Sequence, residues 1–417
     1  MKRPLTIIAA AFLAAFLLFG CATEGERPTG VASGQDAVNE YLKAEEIISD
    51  AEKLAERQKQ AAAEQEKKVA PADLEQLGDL EPPPPPPPPP PPAVKKGAGP
   101  ASIPIIMYHQ VRNDKSGDMI ISKGKLEEEL AYLKREGYYS VSPSEWLDYC
   151  DGRIGLPQKC VILTFDDGWK SQYQNAVPLL EKYGFRGVFY VYPDFVGGSA
   201  AMNWKQIQSL AKRGHTVGCH SMTHPKLTPD KNESDRNYKA RIKEEIIDAK
   251  KVIEEKTGIS VTDFCFPYGY YSEDCFKLLD KAGFETATTV NAGQNSKNSD
   301  PYLLSRYQVN QSTSLSTFAS WLAEPYAEAY LERPGDGART KKGAECRLTL
   351  SDELLQAWRQ GGEMTIRCNH EHPQFRQDGN TLIFRAPKDD ARVTCAIKIK
   401  ARDGRTYRRS FFFTQGK

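Results

Sequence analysis

The stretch VILTFDDGWKSQ, Val161 to Gln172, decides how this chain is read. Val161, Ile162 and Leu163 form a short apolar run of the kind a parallel sheet buries on both faces. The run ends on two adjacent acids, Asp166 and Asp167, and a helix is expected to begin near Gln172. In open α/β folds the chemistry sits just beyond the carboxyl ends of the strands, which is where these acids stand. Asp-Asp-Gly is also ordinary turn material, so alone the stretch reads equally as a turn or as a site.

Upstream, IPIIMYHQV (Ile103 to Val111) is a second strand with a polar mouth, followed by a helical KLEEELAYLKREG (Lys125 to Gly137). Downstream the alternation continues with GVFYVY (Gly187 to Tyr192), a helix near Trp204 to Arg213, HTVGC, and a charged helix from Tyr238 to Thr257. TDFCF, a helix near Glu273 to Ala282, and ETATTV complete it. Repeated βα units imply a parallel sheet, and this many can close, so residues 101–325 are expected to form an α/β domain of distorted (β/α) barrel type. Its active edge lies at the C-terminal ends of the strands. After Pro325 the texture changes to CRLTL, MTIRC, TLIFRA, VTCAIKIKA and YRRSFFF, separated by turns such as QDGN and RDGR, which suggests a small β-sandwich over 326–417. That segment carries 18 Lys and Arg against 12 Asp and Glu, which a solvated face explains better than an acidic ligand. With a net charge of +1 over 417 residues, the chain gives no reason to expect nucleic acid as a partner.

Residues 1–21, MKRPLTIIAAAFLAAFLLFGC, carry Lys2 and Arg3, an apolar run and a small residue before a cysteine, the pattern of a bacterial export signal ending in a lipobox. Cleavage would leave Cys21 as a lipidated N-terminus, tethering the protein to a membrane without spanning it. Ala22 follows the cysteine, so in a two-membrane bacterium the outer membrane, facing the periplasm, is the expected address within the cell envelope. Residues 22–100 then form a spacer: an Ala-, Glu- and Lys-rich helical stretch from Asp36 to Lys68, and eleven prolines, Pro82 to Pro92, in a polyproline rod about 34 Å long. In an oxidising compartment some of the eight further cysteines can pair, and Cys150 with Cys160, close in sequence around a Gly/Pro loop, is the favoured pair.

The second polar cluster is CHSMTHP, Cys219 to Pro225, at the end of another strand. His220 and His224 are four apart, so one turn or a tight loop halted by Pro225 can aim both imidazoles at one point. Two imidazoles and one carboxylate, with water in the remaining position, make an open catalytic site for zinc or a similar divalent ion.

Together TFDDG, HSMTHP and FPYG (Phe266 to Gly269) resemble the polysaccharide deacetylases of carbohydrate esterase family four, from Ile103 to about Pro325. The resemblance implies a distorted (β/α) barrel and metal-dependent removal of acetyl groups from N-acetylated sugars. It makes Asp166 the general base, Asp167, His220 and His224 the metal ligands, and the backbone N–H of Tyr268 an oxyanion donor. Two departures stand out. Cys265 occupies the place of an arginine that commonly orients the base, and LLSRYQVNQSTSLSTF lacks the histidine that commonly serves as general acid.

Of the six histidines, His215 stands at the wrong end of its strand and reads as a hydrogen-bonding residue, and His370 and His372 read as exposed loop residues. His109, at the mouth of the first strand, remains as the acid that protonates the departing amine, with a strand cap or a hydrogen bond to the base as the alternative. Trp169 and Tyr268 suit sugar-stacking walls, with core packing an equal alternative for Trp169. The sequence therefore points to a lipid-anchored, zinc-type N-deacetylase of a GlcNAc-containing polysaccharide, exopolysaccharide or peptidoglycan. The alternative is a glycan-binding protein that kept the metal and lost turnover. Oligomeric state is not legible.

Overall fold

A computed structural model of the chain describes residues 92, 94–388 and 391–416. The expected lipid attachment at Cys21, the export signal, the helical spacer and nearly all of the polyproline rod lie outside these residues.

Eight strands form the main sheet: β1 (Ile105–Tyr108), β2 (Tyr139–Ser140), β3 (Cys160–Phe165), β4 (Val188–Val191), β5 (Thr216–Cys219), β6 (Asp263–Cys265), β7 (Thr286–Thr288) and β8 (Tyr307–Gln308). They run in the order β7-β6-β5-β4-β3-β1-β8, with β2 on β3, and every pairing is parallel. β1, β3 and β4 are buried along their whole length, which is why they read as unbroken apolar runs. The ring is nearly closed by residues 301–308: Leu304 bridges to Thr288 on one side, and Tyr307 pairs with Ile106 on the other. A distorted (β/α) barrel is the result.

Helices α1 (Lys123–Arg135) and α2 (Pro143–Cys150) begin where serine side chains cap the first turn. At α2 the cap is reciprocal, Ser142 accepting from the Glu145 N–H while the Glu145 carboxylate accepts from the Ser142 N–H. The stretch expected as one helix from Tyr238 is α3 (Asp235–Lys243) and α4 (Ala249–Thr257), joined by a π-type turn at Glu244–Asp248.

Beyond residue 325 two four-stranded sheets face each other. One runs β9 (Ala329–Arg333), β11 (Glu345–Leu350), β14 (Thr381–Arg385), β13 (Phe375–Asp378). The other runs β10 (Arg339–Lys341), β16 (Thr406–Gly416), β15 (Arg392–Lys400), β12 (Glu363–Cys368). Their inward residues, among them Leu348, Leu382, Val393, Ile397 and Phe413, form a second hydrophobic core. Phe412, pointing the other way from β16, belongs to the barrel core instead.

The cysteine expectation needs correction. Cys150 and Cys160 are free, and the disulfide joins Cys368 to Cys395. Those two are directly opposed across the β12–β15 ladder, a juxtaposition that spacing in sequence does not reveal. Cys160 instead begins β3, where its thiol donates to the Pro157 carbonyl.

Candidate active site

Strand register assembles the site. Tyr108 pairs with Phe165, so the next residues, His109 and Asp166, emerge side by side, with the His109 Nε2 4.0 Å from Asp166 Oδ2. Cys219 is opposed to Phe264, which sets His220 beside Cys265, and the His220 Nδ1 lies 2.7 Å from the Cys265 carbonyl. A carbonyl can only accept, so Nδ1 carries a proton and Nε2 is the ring atom turned inward. Within this cluster His220 Nε2 and His224 Nε2 are 3.1 Å apart, and Asp167 Oδ1 is 3.5 and 3.3 Å from them. Donors about 2.0–2.1 Å from a tetrahedral zinc stand roughly 3.3 Å from one another, so the triangle has the dimensions of such a site. Two ring nitrogens pointed at each other beside a carboxylate also ask for a cation between them. Burial pushes the Asp167 carboxyl up, but His220 and His224 outweigh it and hold it well below the usual carboxylate range, ionised as a ligand must be.

Several residues hold this triangle through strained backbone. Asp167, Ser221, His224 and Tyr268 all have positive φ, and clustering of such conformations in one place marks a site whose geometry the fold enforces. Gly168 follows at φ +77, where a Cβ would stand 3.1 Å from Val191 Cγ1. The Trp169 indole N–H donates to Asp167 Oδ2 at 2.8 Å, leaving Oδ1 toward the histidines. Trp169 packs edge-on to Phe195, and its N–H orients the Asp167 carboxylate. Tyr268 does line the cleft, its ring 54% exposed and edge-on to His224. The cleft, about 400 Å³, is bounded by His109, Asp166, Asp167, His220, His224 and Tyr268, with Met119 and Arg392 at its rim.

The missing orienting arginine is supplied from elsewhere. Arg306, fully buried in the segment that closes the ring, grips Asp166 through both nitrogens, Nη1 to Oδ1 at 2.7 Å and Nη2 to Oδ2 at 2.8 Å. Its Nε donates to the Thr289 carbonyl at 2.8 Å. The small Cys265 side chain leaves room for this guanidinium, its Sγ 3.1 Å from Nη2. Burial raises the Asp166 carboxyl and Arg306 more than offsets it, so the net shift is downward and Asp166 is ionised at neutral pH. The sequence held one signal for Arg306: a cationic residue amid the apolar positions entering β8. Glu245 was also missed. From the π-type turn it accepts from the Met222 and Thr223 N–H groups, both at 2.9 Å, and so shapes the loop that presents His224.

The remaining histidines sit as their sequence context suggests. His215 is buried, its Nδ1 accepting from the Gly187 N–H at 3.0 Å, and His370 and His372 are exposed. Arg306 thus grips Asp166 from one side, and the His109 ring stands 4.0 Å from the same carboxylate.

A parallel ring of strands with an Asp-His-His triangle and a second, arginine-held carboxylate at its mouth defines a barrel hydrolase of the deacetylase type. Residues 153–287 match the profile of the family described as Polysaccharide deacetylase. YxkH of Bacillus subtilis (strain 168), a protein named as a polysaccharide deacetylase, is 28% identical over 226 residues, covering 54% of this chain and 77% of that protein. Poly-beta-1,6-N-acetyl-D-glucosamine N-deacetylase of Escherichia coli (strain K12) is 23% identical over 226 residues, covering 45% of this chain but only 34% of that protein. Among solved structures, the deacetylase PplD of Streptococcus pyogenes, in complex with acetate, shares the fold, with a TM-score of 0.50 at 24% identity over 54% of this chain and 100% of that one. The chain carries a polysaccharide deacetylase domain of carbohydrate esterase family four, a family of hydrolases.

Proposed function

We propose that this protein is a metal-dependent N-deacetylase acting on a GlcNAc-containing polysaccharide, exopolysaccharide or peptidoglycan, outside the cytoplasm. The observation that carries the reading is the triangle of Asp167 Oδ1, His220 Nε2 and His224 Nε2, none more than 3.5 Å from another, beside an ionised Asp166. Those three residues would hold the cation, and when bound it supplies a Lewis-acidic centre that polarises the amide carbonyl and lowers the pKa of water to about 7. Asp166 takes the proton from the attacking water, its carboxylate kept in one orientation by the Arg306 fork. The Tyr268 N–H donates to the carbonyl oxygen as that oxygen gains negative charge. The amine leaves poorly as an anion, and His109, at the mouth of the same cleft beside Asp166, gives it a proton. The Tyr268 ring offers an apolar face to a sugar.

Names of relatives support the polymer class: the Escherichia coli relative is named for poly-β-1,6-GlcNAc. The export pattern ending at Cys21 supports attachment to the cell envelope by lipid, most simply the outer membrane facing the periplasm. Acetate release measured on chitin oligomers, poly-β-1,6-GlcNAc and peptidoglycan tests the function. Release from at least one is expected, and release from none by a metal-loaded enzyme rejects it.

A further inference from the structure

We propose that the C-terminal sandwich is a working part of the active site, with Arg392 of β15 the residue that positions the Tyr268 peptide. The inference rests on the deacetylase reading for what that peptide does, but its geometry stands on contacts between the sandwich and the barrel loop.

Tyr268 is held at φ 56, ψ 8 in the single tight turn Pro267–Gly269, a conformation few non-glycine residues adopt unaided. Gly269 beside it has φ +67, and a Cβ there would meet Val290 Cγ2 at 2.3 Å. Something must keep the turn in this form, and the sandwich supplies it from two sides. Arg392 Nη2 donates to the Tyr268 carbonyl at 3.3 Å, the oxygen of the strained residue itself. Its guanidinium lies over the Tyr270 ring at 4.2 Å and the Phe412 ring at 5.3 Å, so it is sandwiched between the barrel loop and β16. On the far side Tyr271 donates to Asp336 at 2.6 Å, and Asp336 also accepts from the Phe412 N–H at 2.9 Å. Asn291 ties this bracket to the base, its Nδ2 donating to the Tyr271 hydroxyl and its carbonyl accepting from the Arg306 N–H.

Arg392 is itself fixed. Its carbonyl accepts from Asn369 Nδ2 at 2.7 Å, and three residues on, the Cys368–Cys395 disulfide staples β15 to β12. A guanidinium so placed acts through the loop: it lines the cleft while its donor is spent on the Tyr268 carbonyl, whose peptide plane is joined to the one carrying the Tyr268 N–H through the strained Tyr268 φ and ψ. Loss of that bond should relax the turn and misaim the Tyr268 N–H without touching the metal ligands.

The test uses the full chain loaded with zinc. In Arg392→Ala, kcat on a GlcNAc oligomer should fall about 10- to 100-fold with KM changed less than about twofold and zinc content unchanged. Hydrogen–deuterium exchange of peptides spanning 264–272 should rise, a readout that needs no turnover. Arg392→Lys, which keeps a cation over Tyr270 and one donor, should recover part of both, and Arg376→Ala, on the exposed strand β13, should change neither. If Arg392→Ala does not fold, the lysine variant alone must still show intermediate kcat and exchange. Unchanged exchange, or a raised KM with kcat intact, overturns the positioning role. Faster exchange in Arg392→Ala with a wild type inactive on every acetylated polymer would retain the bracket and reject the deacetylase reading instead.

Discussion

At the scale of single residues, the site separates the roles of two neighbouring acids by what each one touches. Asp167 faces two imidazoles and Trp169, whereas Asp166 faces an arginine fork and His109. Arg306→Lys keeps a charge but loses the fork, so Asp166 should swing out of line and kcat should fall roughly 10- to 100-fold. With burial less fully offset, the Asp166 carboxyl should rise, moving the acid limb of the kcat/KM profile to higher pH. An unaltered profile in a folded Arg306→Lys protein would mean that the fork does not govern the base. His109 is lowered from 6.5 by burial, with Asp166 and Asp167 pulling the other way. In the proposed mechanism the protonated ring is the donor, so activity that depends on it should decline as pH rises through that lowered value. In His109→Ala, turnover should drop by a factor on the order of 10² and that decline should vanish. Near-normal turnover in a folded, metal-loaded variant would remove His109 from the reaction.

Elements place these residues, and one helix contact shows the consequence for stability. Tyr108, the last residue of β1, donates to Glu129 of α1 at 2.9 Å, in full burial. Burial raises the Glu129 carboxyl to about 7, against the pull of Tyr108 and Lys125. The folded protein thus holds this proton more tightly than the unfolded chain does. The stability it contributes is full below pH 4.5 and is lost as pH rises through about 7, about 3 kcal/mol in all. Glu129→Gln should flatten the fall in melting temperature across that window, and an unchanged slope would contradict the assignment. The elements themselves were largely legible. Apolar runs ending in DDG and HSMTHP give the strands and their mouths, because a parallel strand buried on both faces leaves an unbroken apolar signature. Arg306 was legible only as a cationic residue amid apolar positions, since nothing local tells a buried, paired arginine from a solvated one. The Cys368–Cys395 bond was hidden for the same reason: it depends on which strands become neighbours.

Across the whole molecule, the barrel's mouth is finished by residues far along the chain: Arg306 from the closing segment and Arg392 from the sandwich. The N-terminal pattern adds a proposed tether, and Cys21→Ser should lose lipid labelling and leave the membrane fraction; a variant that fractionates with membranes as before would reject the lipid anchor. In the proposed mechanism one carboxylate and two imidazoles hold a metal while the adjacent carboxylate does proton work. Metal content and acetate release measured on the same preparations of wild type, Asp166→Asn and His224→Ala test it most directly. Asp166→Asn should keep its metal and lose turnover by about 10² or more, while His224→Ala should lose both. Equal loss of metal in the two variants, or full turnover in Asp166→Asn, would contradict the account.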